Sequence, residues 1–197
     1  MKKLRFGIIG CSGIAESSTI PSIINSKYTD LEFIGSRTEK KSKEFANKFK
    51  CKKFGSYEDV LENDNVDAVY ISVPVGLHEK WSVQAAKKGK HVLCEKSSTT
   101  SFSSAKKMVF EAKKNNIRLM EAFMFRFHPQ HTKVKELIKK NILGEIYSFS
   151  GFYGFLPIPR TNIRFNKKLG GGILNDAGCY PICASRILFD EEPKSVF

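Results

Sequence analysis

Apolar and polar positions fall in blocks along this chain, and the blocks alternate between two periods. The first apolar run, LRFGII at residues 4–9, ends at Gly10 and reads as a buried strand. A helix is predicted from about Gly13 to Asn25, limited or kinked by Pro21. LEFIGS (31–36) is a second strand, and KKSKEFANKF (40–49) is helical, with Phe45 and Phe49 four apart on one face. CKKF (51–54) is short and extended. SYEDVLEN (56–63) opens on Ser56 with Asp59 three residues later, which approximates a capping box. DAVYISVP (67–74) is a buried strand stopped by Pro74, and LHEKWSVQAAKKG (77–89) is a helix closed by Gly89. KHVLCE (90–95) is the next strand. SFSSAKKMVFEAKKN (101–115) carries Phe102, Ala105, Val109 and Ala112 at helical spacing, and IRLMEAFMF (117–125) is a further strand.

Strands that alternate with helices argue for an α/β fold: a Rossmann-type doubly wound parallel sheet with helices on both faces. The pattern changes near residue 124. HPQHTKVKELIKKN (128–141) is helical, with Val134, Leu137 and Ile138 on one face. GEIYSFSGFYGF (144–155) reads as a long strand of alternating aromatics, Tyr147, Phe149, Phe152 and Phe155. LGGGILNDAGCYPICASRILF (169–189) passes from loop to helix, and KSVF (194–197) is strand-like. The expected organisation is a dinucleotide-binding domain over residues 1–123 and the beginning of a second α/β domain, for substrate or oligomerisation, over 124–197.

Composition narrows the classes. The 197 residues hold 33 Lys and Arg against 20 Asp and Glu, a net charge of +13. The lysines are spread over many predicted helices, so nucleic acid and anionic membranes are not the expected partners, whereas an anionic cofactor or substrate suits the field. The five cysteines form no C-x-x-C pair, which suits reduced thiols and a cytoplasmic location. No apolar run approaches the ~18–20 residues of a membrane span. His128 and His131 lack acidic or cysteine partners nearby in sequence, and no metal site is expected.

Two stretches carry candidate chemistry. GIIGCSGIA lies between the first strand and the first helix, where the dinucleotide pattern G-x-G-x-x-G/A places a pyrophosphate on a helix N-terminus. Aligned on Gly10, it offers Gly10, Ser12 and Ala15, with Gly13 and Ile14 between; serine replaces the middle glycine, and its hydroxyl can donate. The tip of the second strand is Ser36 and Arg37, with no acid there to accept from ribose hydroxyls. Arg37 can pair with a 2′-phosphate, so NADP is expected, with NAD as the alternative.

These stretches, together with VDAVYISVPVGLHEKWSVQAAKKGKHVLCEK, EAFMFRFHPQ and NIRFNKKLGGGILNDAGCYP, resemble the Gfo/Idh/MocA oxidoreductase family, in the style of its dihydrodiol dehydrogenase, xylose dehydrogenase and glucose–fructose oxidoreductase branch. The resemblance implies a Rossmann domain followed by an α/β domain on an open sheet, with the cofactor in a cleft and a sugar, sugar nucleotide or cyclic polyol or diol as substrate. The family's Glu-Lys-Pro motif falls on Glu95, Lys96 and Ser97, and its Asp-x-x-x-His/Tyr motif on Asp176 and Tyr180. Proline is thus replaced by Ser97, the asparagine common after the fourth strand is Val75, and family members are considerably longer.

The roles follow from proton chemistry. Tyr180 is the expected proton donor; Lys96, at a strand tip, favours its phenolate form; Asp176 orients substrate hydroxyls or Lys96. Glu95 positions the ribose or the lysine; Pro74, Leu77 and His78 wall the nicotinamide; Arg126 and Arg164 bind substrate. Each has a plain alternative: Lys96 and Arg37 as surface residues, Tyr180 as a packed aromatic, Asp176 and His78 as helix-start residues. A homo-oligomer is carried as an expectation. The competing functional reading is a truncated, inactive nucleotide-binding remnant, or a half-protein completed by another chain.

Overall fold

The structure is a computed structural model that describes residues 2–197. It divides into two units, residues 2–122 with Lys168–Gly170, and Phe123–Lys167 with Gly171–Phe197.

In the first unit six strands form one sheet: β1 (Leu4–Ile9), β2 (Thr29–Gly35), β3 (Phe54–Gly55), β4 (Ala68–Ile71), β5 (His91–Cys94) and β6 (Leu119–Glu121). All neighbours are parallel, and the order is β3-β2-β1-β4-β5-β6. The apolar runs read as near-continuous because both faces are covered. Successive side chains of β4 go to opposite sides: Val69 and Ile71 join Ile9, Val60, Trp81 and Met108, while Ala68 and Tyr70 join Ile8, Ile20, Ile34 and Phe45.

The helices that cover the sheet are α1 (Ile20–Asn25), α2 (Glu39–Phe49), α3 (Tyr57–Glu62), α4 (His78–Lys87) and α5 (Phe102–Lys114). The helix expected from Gly13 to Asn25 is continuous, but its centre is a π-helical turn, Ala15–Thr19. Pro21 follows that turn, where it removes one N–H from the α-helical ladder. The capping box at α3 is complete: Asp59 N–H donates to Ser56 Oγ (3.1 Å) and Ser56 N–H to Asp59 Oδ2 (2.8 Å).

Backbone bonds extend the sheet past the ends of its strands. Gly10 N–H donates to Gly35 O, Ser72 N–H to Ile9 O, Glu95 N–H to Ile71 O and Ala122 N–H to Cys94 O, at 2.8–3.2 Å. The loops after β1, β4, β5 and β6 therefore start in one row at the C-terminal edge, where open α/β sheets collect ligands.

The second unit contains α6 (Pro129–Lys139) and α7 (Cys179–Phe189). His128 Nδ1 accepts from Gln130 N–H (3.2 Å) at the start of α6. A π-helical turn, Leu174–Gly178, precedes α7, and Pro181 again follows it. The strands expected at 144–155 and 194–197 are not formed, and no strand occurs among the described residues of this unit. A strand needs a neighbour for its N–H and C=O groups, and no extended segment here supplies one. Most aromatics of the first segment are exposed instead, Tyr147 at 82% and Phe152 at 97%, while Phe149 is half-buried. Likewise 117–125 is strand only over Leu119–Glu121, because the chain turns into a short 3₁₀ segment, Met124–Phe127.

At the opposite edge of the sheet, Arg5 grips Asp67 bidentately, Nε to Oδ2 at 2.9 Å and NH2 to Oδ1 at 2.8 Å. The guanidinium holds the Asp67 carboxyl well below the usual carboxylate range. A depressed folded-state value means that this stabilisation is fully present above the unfolded value of about 4 and is lost as pH falls through the folded one. Urea midpoints measured from pH 7 to pH 2 should fall below about pH 4, and Asp67→Asn should be less stable at pH 7 with a shallower acid limb. Parallel profiles for the two proteins would contradict this role for the pair.

Candidate functional site

The turn after β1 is built around Gly10. Its φ is +110°, and a Cβ there would lie 3.0 Å from Ser72 C and Val73 N. Ser72 Oγ donates to Gly10 O at 2.7 Å, so the turn is tied to β4 across the switch point of the sheet. Ser12 caps the following helix: its Oγ accepts from Ala15 N–H (3.1 Å), and its hydroxyl hydrogen is left to donate elsewhere. A Cβ on Gly13 would meet nothing within 4 Å. Ile14 is exposed while Ala15 is buried. The Gly13 and Ile14 N–H groups precede the first intrahelical bond, Glu16 N–H to Ser12 O, so the turn fits an anionic pyrophosphate. Cys11 lies beneath it, its buried thiol pushed up to about 11, which keeps it protonated.

At the tip of β2, Ser36 is buried and donates its N–H to Gly55 O at 3.0 Å. Arg37 is exposed, and among the described residues no carboxylate pairs with it. A guanidinium at this position can meet a phosphate with both prongs of its fork.

The turn after β5 carries Lys96, half-buried, and is held by side chains from three neighbours. Glu95 is 8% exposed and turned inward: Oε1 accepts from Tyr70 Oη at 2.6 Å, and Oε2 from Lys96 N–H at 3.2 Å. His78 lies between two carbonyls, Nδ1 at 2.9 Å from Ser97 O and Nε2 at 2.7 Å from Val73 O. Glu121 Oε1, at the tip of β6, accepts from Ser98 N–H at 2.7 Å. The Lys96–Ser97 peptide is cis. A neutral imidazole can donate to only one of the carbonyls facing His78, and only the protonated ring to both. Burial opposes that charge and pushes the imidazole below its ordinary value, while the two carbonyls pull the other way.

His78 was expected at the nicotinamide, but its ring is 1% exposed and committed to backbone, so it braces the loops. Glu95, expected to position the ribose or the lysine, faces the core and meets the Lys96 N–H. Pro74 and Leu77 remain half-buried at the start of α4. The loop Lys168–Gly170 belongs to this unit and lies on the same edge: a Cβ on Gly76 would come within 3.0–3.3 Å of its backbone, and one on Gly170 within 2.7 Å of Thr100. Sequence reasoning missed Tyr70 and Glu121. Their signals were a phenol inside the apolar run AVYI and an acid ending LME.

In the second unit Tyr180 sits among aromatics. It stacks on Tyr153 (centroids 4.9 Å, planes at 5°), meets Phe123 edge-on at 5.5 Å and lies 5.4 Å from Phe125. Asp176 Oδ2 accepts from Arg164 Nε at 2.6 Å, so two residues expected to touch substrate hold each other. Arg126 instead lines a groove of about 440 Å³ with His131, Lys135, Cys183 and Arg186 on α6 and α7. Among the described residues no group of three His, Cys, Asp or Glu is placed to hold a metal, and no helix is long and apolar enough to cross a membrane.

A parallel sheet in this order, with a glycine-opened helix at its switch point and Arg37 rather than an acid at the tip of β2, is that of a dinucleotide-binding Rossmann domain. The chain belongs to the Gfo/Idh/MocA oxidoreductases: residues 4–123 match the family's NAD-binding Rossmann fold and residues 131–197 its C-terminal domain. Among its relatives, a dTDP-3,4-didehydro-2,6-dideoxy-alpha-D-glucose 3-reductase of Actinomadura kijaniata is 38% identical over 98% of this chain and 58% of its own length. A D-xylose 1-dehydrogenase (NADP(+)) of Haloferax volcanii is 38% identical over 98% of this chain and 59% of its own length. The crystal structure of the A. kijaniata 3-ketoreductase KijD10 with NADP and TDP-benzene superposes with a TM-score of 0.92 at 37% identity, covering 95% of this chain and 58% of that one. An aldose-aldose oxidoreductase of Caulobacter crescentus, complexed with glycerol, superposes at 0.91 with 28% identity, over 98% and 59% of the two chains. The chain thus spans under three fifths of the length of these relatives.

The brace on Lys96 is directly testable. His78→Ala empties a buried site and removes both imidazole contacts, and should cost about 2–4 kcal/mol in urea unfolding. A change below about 0.5 kcal/mol, the scale of surface substitutions, would show that His78 braces nothing.

Proposed function

We propose that this protein is an NADP-preferring oxidoreductase that interconverts carbonyl and hydroxyl groups on a sugar, sugar nucleotide or cyclic polyol or diol. The observation that carries the reading is the turn at residues 10–15, an open helix N-terminus set by Gly10 and Ser12, with exposed Arg37 in place of an acid beyond β2. The relatives that reduce a dTDP-linked keto sugar or oxidise D-xylose with NADP point to the same chemistry.

The nicotinamide cofactor, when bound, supplies or accepts the hydride. The first-turn N–H groups and Ser12 hydroxyl hold its pyrophosphate, and Arg37 pairs with the 2′-phosphate and selects NADP over NAD. Lys96 supplies a fixed positive charge at the C-terminal edge of the sheet. Tyr180 Oη gives a proton to the carbonyl oxygen in reduction and takes it back in oxidation. Asp176 and Arg164, already paired, orient substrate hydroxyls as one unit. His78, Glu95 and Glu121 hold the Lys96 turn, and Pro74 and Leu77 flank it.

One observation favours a second reading. The exposed aromatics of 144–155 have no sheet to join among the described residues, which suits a chain that binds nucleotide without turnover, or one that works with a further polypeptide. Fluorescence titration should show NADPH binding more tightly than NADH, and Arg37→Glu should weaken NADPH at least about tenfold while changing NADH little. In a panel of sugars and keto sugars, Lys96→Met and Tyr180→Phe should each cut NADPH oxidation by about 10²-fold or more. Absence of NADPH binding would overturn the proposal, and binding without turnover of any carbonyl would select the second reading.

A further inference from the structure

Tyr70 is an odd residue for its position. It lies in the middle of β4, the central strand beside β1, fully buried among Ile8, Ile20 and Phe45. A phenol buried so deeply needs a partner for its hydroxyl. The partner is a carboxylate that is itself buried: Glu95 Oε1, 2.6 Å away. That length belongs to an O–H···O⁻ bond, in which the charged acceptor makes the contact stronger than a neutral one. Burial, and then the Glu95 charge, push the Tyr70 phenol upward, so it stays a donor at every physiological pH.

Packing alone does not account for this arrangement. Taking a carboxylate out of water is costly, and apolar side chains of the same volume would fill the space at least as well. What the carboxylate does that an apolar group cannot is reach the backbone of the next residue. Glu95 Oε2 accepts the Lys96 N–H, so a carboxylate fixed by Tyr70 fixes the peptide from which Lys96 departs. The Tyr70 ring, clamped in the core, is the inner end of this chain of contacts, and the half-buried Lys96 turn is its outer end.

We propose that Tyr70 is a positioning residue for Lys96, acting through the Glu95 carboxylate. This deepens the function proposed above and rests on Lys96 being the residue that works beside the cofactor. Lys96 has three rotatable donors on a flexible stem, and its usefulness depends on where its backbone starts. Removal of the phenol hydroxyl leaves Glu95 short of its fixed donor, so the carboxylate is free to swing and the Lys96 N–H loses its acceptor.

The test is amide hydrogen exchange by NMR on the full chain, comparing wild type, Tyr70→Phe, Glu95→Gln and the double variant. Exchange at Ile8 and Ile9 in β1 reports global opening, and exchange at Lys96 reports the turn. Each single variant should speed Lys96 exchange about tenfold or more beyond any change at Ile8 and Ile9, and the double variant should be no faster than the faster single one. Acceleration at Lys96 that merely matches Ile8 and Ile9, or single effects that multiply in the double variant, would overturn the proposal. Where Tyr70→Phe does not fold, 3-fluorotyrosine at position 70 keeps ring and hydroxyl but alters the O–H; it should shift the Lys96 amide signal and not those of Ile8 and Ile9, and an unmoved Lys96 signal would overturn it equally. NADPH titration of the wild type runs alongside. Lack of binding there removes the proposed function, while the exchange result still decides whether Tyr70 holds the turn.

Discussion

The row of backbone hydrogen bonds that runs just past the strand ends is the constraint on which the rest depends. From Gly35 to Gly10, Ile9 to Ser72, Ile71 to Glu95 and Cys94 to Ala122, each loop starts one residue beyond its neighbour's last strand residue. The first of these loops stays in the row because Gly10 has no side chain. At φ +110°, any Cβ there would press on the Ser72–Val73 peptide. With the row in place, the glycine turn, the start of α4, the Lys96 turn and the tip of β6 all open at one level, although they lie far apart in sequence.

The Lys96 turn shows how the row is used. Serine at position 97 does not fix φ as a proline would. The turn is secured instead from outside, by a carboxylate from β6 on one side, a histidine from α4 on another, and the inward-facing Glu95 with Tyr70 beneath it. The adjacent acid and base at the strand tip are therefore not a surface charge pair. The acid belongs to the core and the base to the edge. Sequence neighbours on an extended chain face opposite ways, and here that alternation divides support from chemistry.

Much of the first unit was legible because its signals are local. Apolar runs covered on both faces, helices with Phe45 and Phe49 or Ser56 and Asp59 at the right spacing, and a glycine at the end of β1 each carry their own structural cause. The supports of Lys96 were not legible. His78, Tyr70 and Glu121 reach it across three different connections, and nothing in a linear pattern states which buried polar groups will meet. His78 was read as a wall of the nicotinamide and Glu95 as positioning the ribose or the lysine; both are buried, and Glu95 does meet the Lys96 backbone. The second unit was legible in its helices and not in its strands. Alternating aromatics at 144–155 give the right period, but a strand forms only against a partner. The Arg164–Asp176 pair was hidden for a related reason, since each residue alone reads as a free polar group for substrate.

The proposed function turns on one placement: the C-terminal edge of the sheet receives an NADP dinucleotide, with pyrophosphate at the turn after β1, the 2′-phosphate at Arg37 and the reactive end toward Lys96. Mapping the backbone amide shifts that NADPH induces tests this claim most directly. The account predicts the largest changes at Gly10, Ser12, Gly13, Ile14, Arg37 and Lys96, with NADH reproducing all but the Arg37 change. Shifts confined to other faces of the sheet, or spread evenly over the exposed lysines of the helices, would contradict it.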